Sequence, residues 1–183
     1  MITEQTGTIK LCYNGFIAGR FVFVLLIAVL SLTCQAQDSI SYKGLSVNHI
    51  FMGAPQATLK CHFGSPGKII KDTDYSTGEV YYKLVYKKSK FQVSKAEKTF
   101  FGFDINDPVY AVCYKSTCFK TGDKVSSLSA LFPESYQLYL LDRNKYPKEK
   151  MLPLRVRFAQ SDSYLIFECV DERIRSISTW NDL

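Results

Sequence analysis

Phe119-Lys-Thr-Gly-Asp-Lys-Val-Ser-Ser-Leu-Ser-Ala-Leu-Phe-Pro133 decides the reading of the fold, because an earlier stretch has the same layout: Ile50-Phe-Met-Gly-Ala-Pro-Gln-Ala-Thr-Leu-Lys-Cys-His-Phe-Gly64. Gly53 matches Gly122, Leu59 matches Leu128 and Phe63 matches Phe132, all at one constant offset. Each stretch reads as a glycine turn, a short helix with an apolar stripe, and a Gly or Pro stop. The expected fold class is therefore α+β. It would consist of two tandem helix-plus-antiparallel-sheet repeats, with the helices packed on one face of the sheet.

Outward from these stretches, the first helix is expected over residues 55–63, with Pro55 opening it and Leu59 and Phe63 sharing a face. Strands are expected near 68–72, 80–86, 91–93, 99–104 and 109–114, where residues that suit a pleated surface cluster between turn signals. The second helix is expected from Asp123 as cap to a stop at Pro133, with Val125, Leu128 and Phe132 as its stripe. Strands follow near 137–141, 154–159, 164–170 and 173–179, with a charged loop over 142–149. The expected organisation is a leader over 1–36, an N-terminal arm over 37–46, a first repeat over 47–119 and a second over 120–183.

The leader reading rests on Lys10 and Arg20 followed by the uncharged run Phe21–Leu32, which is shorter than the roughly 20 residues of a membrane span. Cys34-Gln-Ala36 places small residues where a signal peptidase cuts, so cleavage is expected after Ala36. Export to the periplasm or the exterior follows. Leu30-Ser-Leu-Thr-Cys34 also supports a second reading, in which a lipidated Cys34 holds the chain at a membrane. Losing Lys10, Arg20 and Glu4 lowers the net charge of +6 by one unit. That mild excess argues against a nucleic-acid partner.

Four cysteines remain after the leader: Cys61, Cys113, Cys118 and Cys169. In an exported chain they allow disulfides, and the close spacing of Cys113 and Cys118 suits a bridge across a tight turn. Cys61 reads as a small buried helix residue, and Cys169 as inward-facing on a strand. No cofactor or metal is expected, since no second Cys or His stands at ligand spacing.

Catalytic residues are not expected either. His62 adjoins Cys61, but neighbours on a helix point about 100° apart and cannot pair. His49 reads as a surface residue, and Asp72 and Asp74 flank a Tyr-Ser-Thr-Gly turn, where aspartate serves local hydrogen bonds. The most suggestive surface stretch is residues 81–98, with six lysines and interleaved aromatics. Strand alternation sends Tyr81, Lys83, Val85 and Lys87 one way and Tyr82, Leu84 and Tyr86 the other. Tyr81, Tyr82, Lys83, Tyr86 and Lys87 are the candidate protein-binding residues, for an acidic protein or an anionic surface. The plainer reading is a solvated face whose lysines guard an edge.

The pattern of Gly53 to Gly64 and Gly122 to Pro133, Gly-x5-Leu-x3-Phe closed by Gly or Pro, resembles tandem-repeat proteins with the fold of β-lactamase-inhibitor protein. One unit at a time it is similar to small outer-membrane-assembly lipoproteins. The resemblance covers most of residues 47–183 and implies two sheets forming one surface that grips a partner. It carries over no contact residues, because the motif belongs to the scaffold. Function is expected to be non-enzymatic protein binding through an open sheet face, the partner being an unidentified protein such as an envelope or extracellular enzyme. The alternative is a membrane-anchored envelope-assembly or maintenance lipoprotein.

Overall fold

The computed structural model describes residues 38–74 and 77–180; the expected leader, with Cys34, lies outside them. In chain order the elements are β1 (Ser39–Ile40), a 3-10 turn (Tyr42–Gly44), β2 (Leu45–Val47), β3 (Ile50–Phe51), α1 (Gln56–Phe63), β4 (Lys68–Thr73), β5 (Val80–Tyr86), β6 (Ser89–Ser94) and β7 (Phe100–Ile105). Then come β8 (Val112–Tyr114), β9 (Thr117–Phe119), a 3-10 turn (Val125–Leu128), α2 (Pro133–Lys145), β10 (Met151–Phe158), β11 (Tyr164–Val170) and β12 (Arg173–Trp180).

Most strands join one eight-stranded sheet of order β1-β10-β11-β12-β7-β6-β5-β4. β2, β3, β8 and β9 form a separate four-stranded sheet. Two antiparallel meanders, β4–β7 and β10–β12, meet where β7 pairs with β12 through Ile105–Ile177 and Asp104–Ser178. Tight turns make the meanders: Asp171 and Glu172 both take positive φ (49° and 59°), as a two-residue hairpin with the native twist requires. The Asn48-His49 pair between β2 and β3 does the same at 46° and 67°.

Period-two alternation sorts the large sheet into two faces. Leu84, Phe91 and Phe103 stand in one cross-strand row. Ile105, Ile177, Phe167 and Leu154 stand in another. All seven are buried. The small sheet, through Leu45, Val47, Val112 and Phe119, and the helices, through Leu59 and Tyr139, join the same core on this inner face.

The expectation of two tandem helix-plus-sheet repeats is overturned. The molecule is mostly β, with two helices of unlike length among the described residues, a mixed eight-stranded sheet, and a second, four-stranded sheet built from residues 45–119 that has no counterpart in residues 120–180. The error begins at Pro133. It opens α2 at the first helical position, where its missing N–H costs nothing, instead of ending a helix. The 125–132 stretch forms only a 3-10 turn. The expected strand at 137–141 is helix, as are the first four residues of the loop expected over 142–149, while 146–149 are loop: Ser135, Tyr136, Tyr139 and Leu140 face inward at helical spacing, while Leu138 and Leu141 are exposed. Glu134 in the first turn and Arg143 and Lys145 in the last complement the helix dipole.

Candidate functional site on the outer face of the large sheet

The outer face carries its own rows. Lys68, Val85, Lys90, Asp104, Ser178, Ile166 and Arg155 run side by side across seven strands. Ile70, Lys83, Gln92 and Gly102 form a second row. Its large apolar side chains Ile70, Tyr81, Val85, Phe101, Tyr164 and Ile166 all stay half-buried, unlike their inner-face counterparts.

Of the sequence-derived binding residues, the structure places Tyr81 and Lys83 on this face and three elsewhere. Tyr86 is a core residue: it is 5 % exposed, its hydroxyl donates to the Gly64 carbonyl at 3.0 Å, and its ring meets Phe63 and Phe91 edge-on. Tyr82 also turns inward, half-buried against the core. Lys87 is exposed in the β5–β6 turn at φ 52°.

Two of the six lysines that read as a basic patch are tied to carboxylates beside them. Lys83 donates to Asp72, and Lys90 to Asp104 at 3.2 Å. The Lys83 ammonium, the Thr73 N–H and the Tyr81 hydroxyl all donate to Asp72 and hold its carboxyl below the usual range. The same bond raises Lys83. Lys83 and Lys90, matched this way, lend little positive field to an acidic partner.

Beside these pairs lies a groove of about 450 Å³, lined by Glu79, Tyr81, Gln92, Ser94, Glu97, Thr99, Phe101 and Thr179 among others. Tyr81 and Phe101 meet edge to face, with centroids 5.7 Å apart, and form its aromatic corner. The register shift between Gln92 and Val93 turns Phe101 into it. Gly102 lies buried beneath the lining side chains: a Cβ there would come within 2.6 Å of Gln92 Oε1 and 3.0 Å of Thr179 Oγ1. Thr179 accepts from the Phe103 N–H at 2.9 Å, and Thr99 donates to Glu97 at 3.1 Å. The Gln92 amide has no hydrogen-bond partner among the described residues. Below the sheet, burial and then the charge of Glu97 raise the Tyr42 phenol, whose hydroxyl donates to the Phe101 carbonyl at 2.6 Å.

Sequence reasoning missed Gln92, Phe101 and Gly102. Their juxtaposition depends on a β-bulge, which leaves no local signature beyond a glycine within a strand.

The remaining candidates stay apart. Cys113 and Cys118 are directly opposed in the β8–β9 hairpin and form a disulfide, with Cα atoms 4.0 Å apart. Cys61 is exposed, not the buried helix residue expected, because it lies off the Leu59–Phe63 stripe. Cys169 is free and buried, and burial pushes its thiol up to about 12. His62 is exposed and edges onto Phe63, and His49 is an exposed turn residue. No cluster of three metal-ligating side chains occurs among the described residues, and no described helix is long and apolar enough to cross a membrane.

Comparison of the chain with protein-family models, with curated proteins and with solved structures finds no match.

Proposed function

We propose that this protein is an exported, non-enzymatic binding module that holds a protein partner on the outer face of its large sheet. The observation that carries the reading is the set of incompletely buried large side chains Ile70, Tyr81, Val85, Phe101, Tyr164 and Ile166 on that one face. Large aromatic and aliphatic side chains gathered on one surface mark interaction sites, since each left in water forgoes about 25 cal/mol per Å² of apolar area. Tyrosine in particular gives contact area at low entropy cost. Export is supported by the Cys113–Cys118 disulfide, which persists in oxidising compartments.

The test is site-specific photo-crosslinking in cells producing the full chain. A crosslinker replacing Ile166 should give one adduct of defined mass, and one replacing exposed Gln137 of α2 should give none. Tyr164→Ala should weaken the Ile166 adduct at least tenfold with little change in Tm. Adducts equal at both positions, or absent from both, sink the reading. Intact mass of the mature chain tests export: a start at Gln37 supports it, and a retained leader with free thiols at 113 and 118 ends it. A diacylated Cys34 would put the same face to work in a membrane-anchored envelope-assembly lipoprotein.

A further inference from the structure

We infer that the groove at Gln92 and Gly102 takes an arginine side chain of the partner, so that the face recognises a basic segment even though the chain is itself cationic. The inference rests on the binding-face reading above and names the chemistry of what is bound.

The net charge of +6 and the lysine-rich stretch 81–98 suggest an acidic partner. On the folded outer face, however, Lys83 and Lys90 are neutralised by Asp72 and Asp104. Glu79 and Glu97 have no such match: no lysine or arginine pairs with either among the described residues, and both line the groove. Lys95 and Lys98, in the same turn as Glu97, do not line it. The charged side chains that line the groove are therefore carboxylates, opposite in sign to the whole chain. A concave site with a low-dielectric aromatic wall focuses their field.

Shape and hydrogen bonding then select the cation. A guanidinium is planar, offers five N–H donors and stacks on aromatic faces, whereas an ammonium is a strongly hydrated point charge. The groove supplies the complement: the Tyr81–Phe101 corner for stacking, two carboxylates, and the unpartnered Gln92 amide oxygen at the floor. One side of Tyr81 is already used, since Lys83 Nζ stands 5.5 Å from its centroid. Phe101 is thus the wall left for the incoming group. Gly102 lies beneath the Gln92 amide. Its missing side chain lets Gln92 lie flat against the strand, and any Cβ would push the amide up into the groove.

The test titrates isotopically labelled protein with three peptides that differ only in carrying arginine, lysine or glutamate, followed by NMR. The arginine peptide should shift the Gln92 side-chain amide and the Gly102 N–H saturably. The lysine peptide should bind at least fivefold more weakly, and the glutamate peptide should not shift these signals. A Glu79→Gln/Glu97→Gln double variant should lose at least tenfold in affinity, as should Gln92→Leu. Gly102→Ala should lose as much, and Gln92→Leu keeps the inference testable should Gly102→Ala not fold. Equal binding of arginine and lysine peptides, shifts confined to other residues, or undiminished affinity in the glutamate or Gln92 variants would overturn it. If Ile166 still crosslinks a partner while the arginine titration fails, this inference falls and the binding-face reading stands.

Discussion

The two stretches that share a glycine begin alike and end differently. At the first, Gly53 N–H donates to the Phe100 carbonyl at 2.7 Å, Phe100 N–H returns to Ala54 at 2.8 Å, and Gln56 N–H reaches Lys98 at 2.8 Å. At the second, Gly122 N–H donates to Ile174 at 2.7 Å, Ile174 N–H returns to Asp123 at 2.9 Å, and Val125 N–H reaches Glu172 at 2.9 Å. Both glycines take positive φ, 88° and 94°. Each turn thus clamps onto the start of a strand, β7 or β12, and Leu59 and Leu128 are both fully buried behind it. Beyond that point the first runs straight into α1, while the second makes a single 3-10 turn and waits for Pro133 to start α2. Serines account for part of the difference. Ser127 Oγ donates to the Lys124 carbonyl at 2.7 Å and Ser129 Oγ to Ser126 at 2.8 Å, offering the backbone acceptors an alternative to helix. A shared clamp therefore specifies where a segment attaches, and the residues after it specify what it becomes.

The sharpest break in this comparison is at the paired phenylalanines. Phe132 is 1 % exposed and packs against Tyr114, Phe119 and Phe167, whereas Phe63 is half-buried at the rim of the core. Phe132→Ala should cost about 3–5 kcal/mol in urea unfolding, and Phe63→Ala clearly less. Equal costs would mean that the two positions are equivalent after all.

The second clamp follows directly on a crosslinked hairpin, and the first does not. Replacing Cys113 and Cys118 by serine should cost about 2 kcal/mol, the closure entropy of so short a loop. Hydrogen exchange should quicken at Gly122 N–H more than at Gly53 N–H. The reverse order would separate the disulfide from the second clamp.

Gly53 and Gly122 themselves should respond alike. A Cβ at either meets nothing within 4 Å, so alanine brings only the strain of positive φ, about 1–2 kcal/mol at each. Matching losses in Tm sharpen the clamp equivalence, and a large inequality breaks it.

A last check on the second clamp is set by pH. Cys169 pairs across the sheet with Ile174, the strand residue held by the second clamp. Its thiol is raised from 9.0 to about 12 in the folded chain. Above pH 9 the unfolded chain ionises this group and the folded chain does not, so stability falls as pH rises, by about 1.4 kcal/mol per unit up to about 12. Cys169→Ala should lessen the slope between pH 9 and 10, below the range where the raised tyrosines such as Tyr42 contribute. An unchanged slope in chemical unfolding would show that another group carries it.

What could be read from the sequence was what short spacing controls. The strands read at 80–86, 164–170 and 173–179, the helix read at 55–63, the Gly53 and Gly122 turns and the Cys113–Cys118 pairing all follow from local alternation, turn residues or close cysteines, and the structure has each within a residue. The inward face of Cys169 was legible for the same reason. Helix α2 was not, because Tyr136 to Leu141 is an apolar-aromatic run that satisfies strand and helix patterns equally until its partners are known. Nor was the binding face. Tyr86 became core because Gly64 accepts its hydroxyl and Phe91 its ring, and Lys83 and Lys90 lost their field because Asp72 and Asp104 arrive from neighbouring strands. The groove at Gln92 needs a bulge, a glycine on β7 and a threonine on β12 to meet. Local preference acts over a few residues, whereas burial and charge pairing are settled by whatever the chain brings alongside, and only tertiary structure decides that.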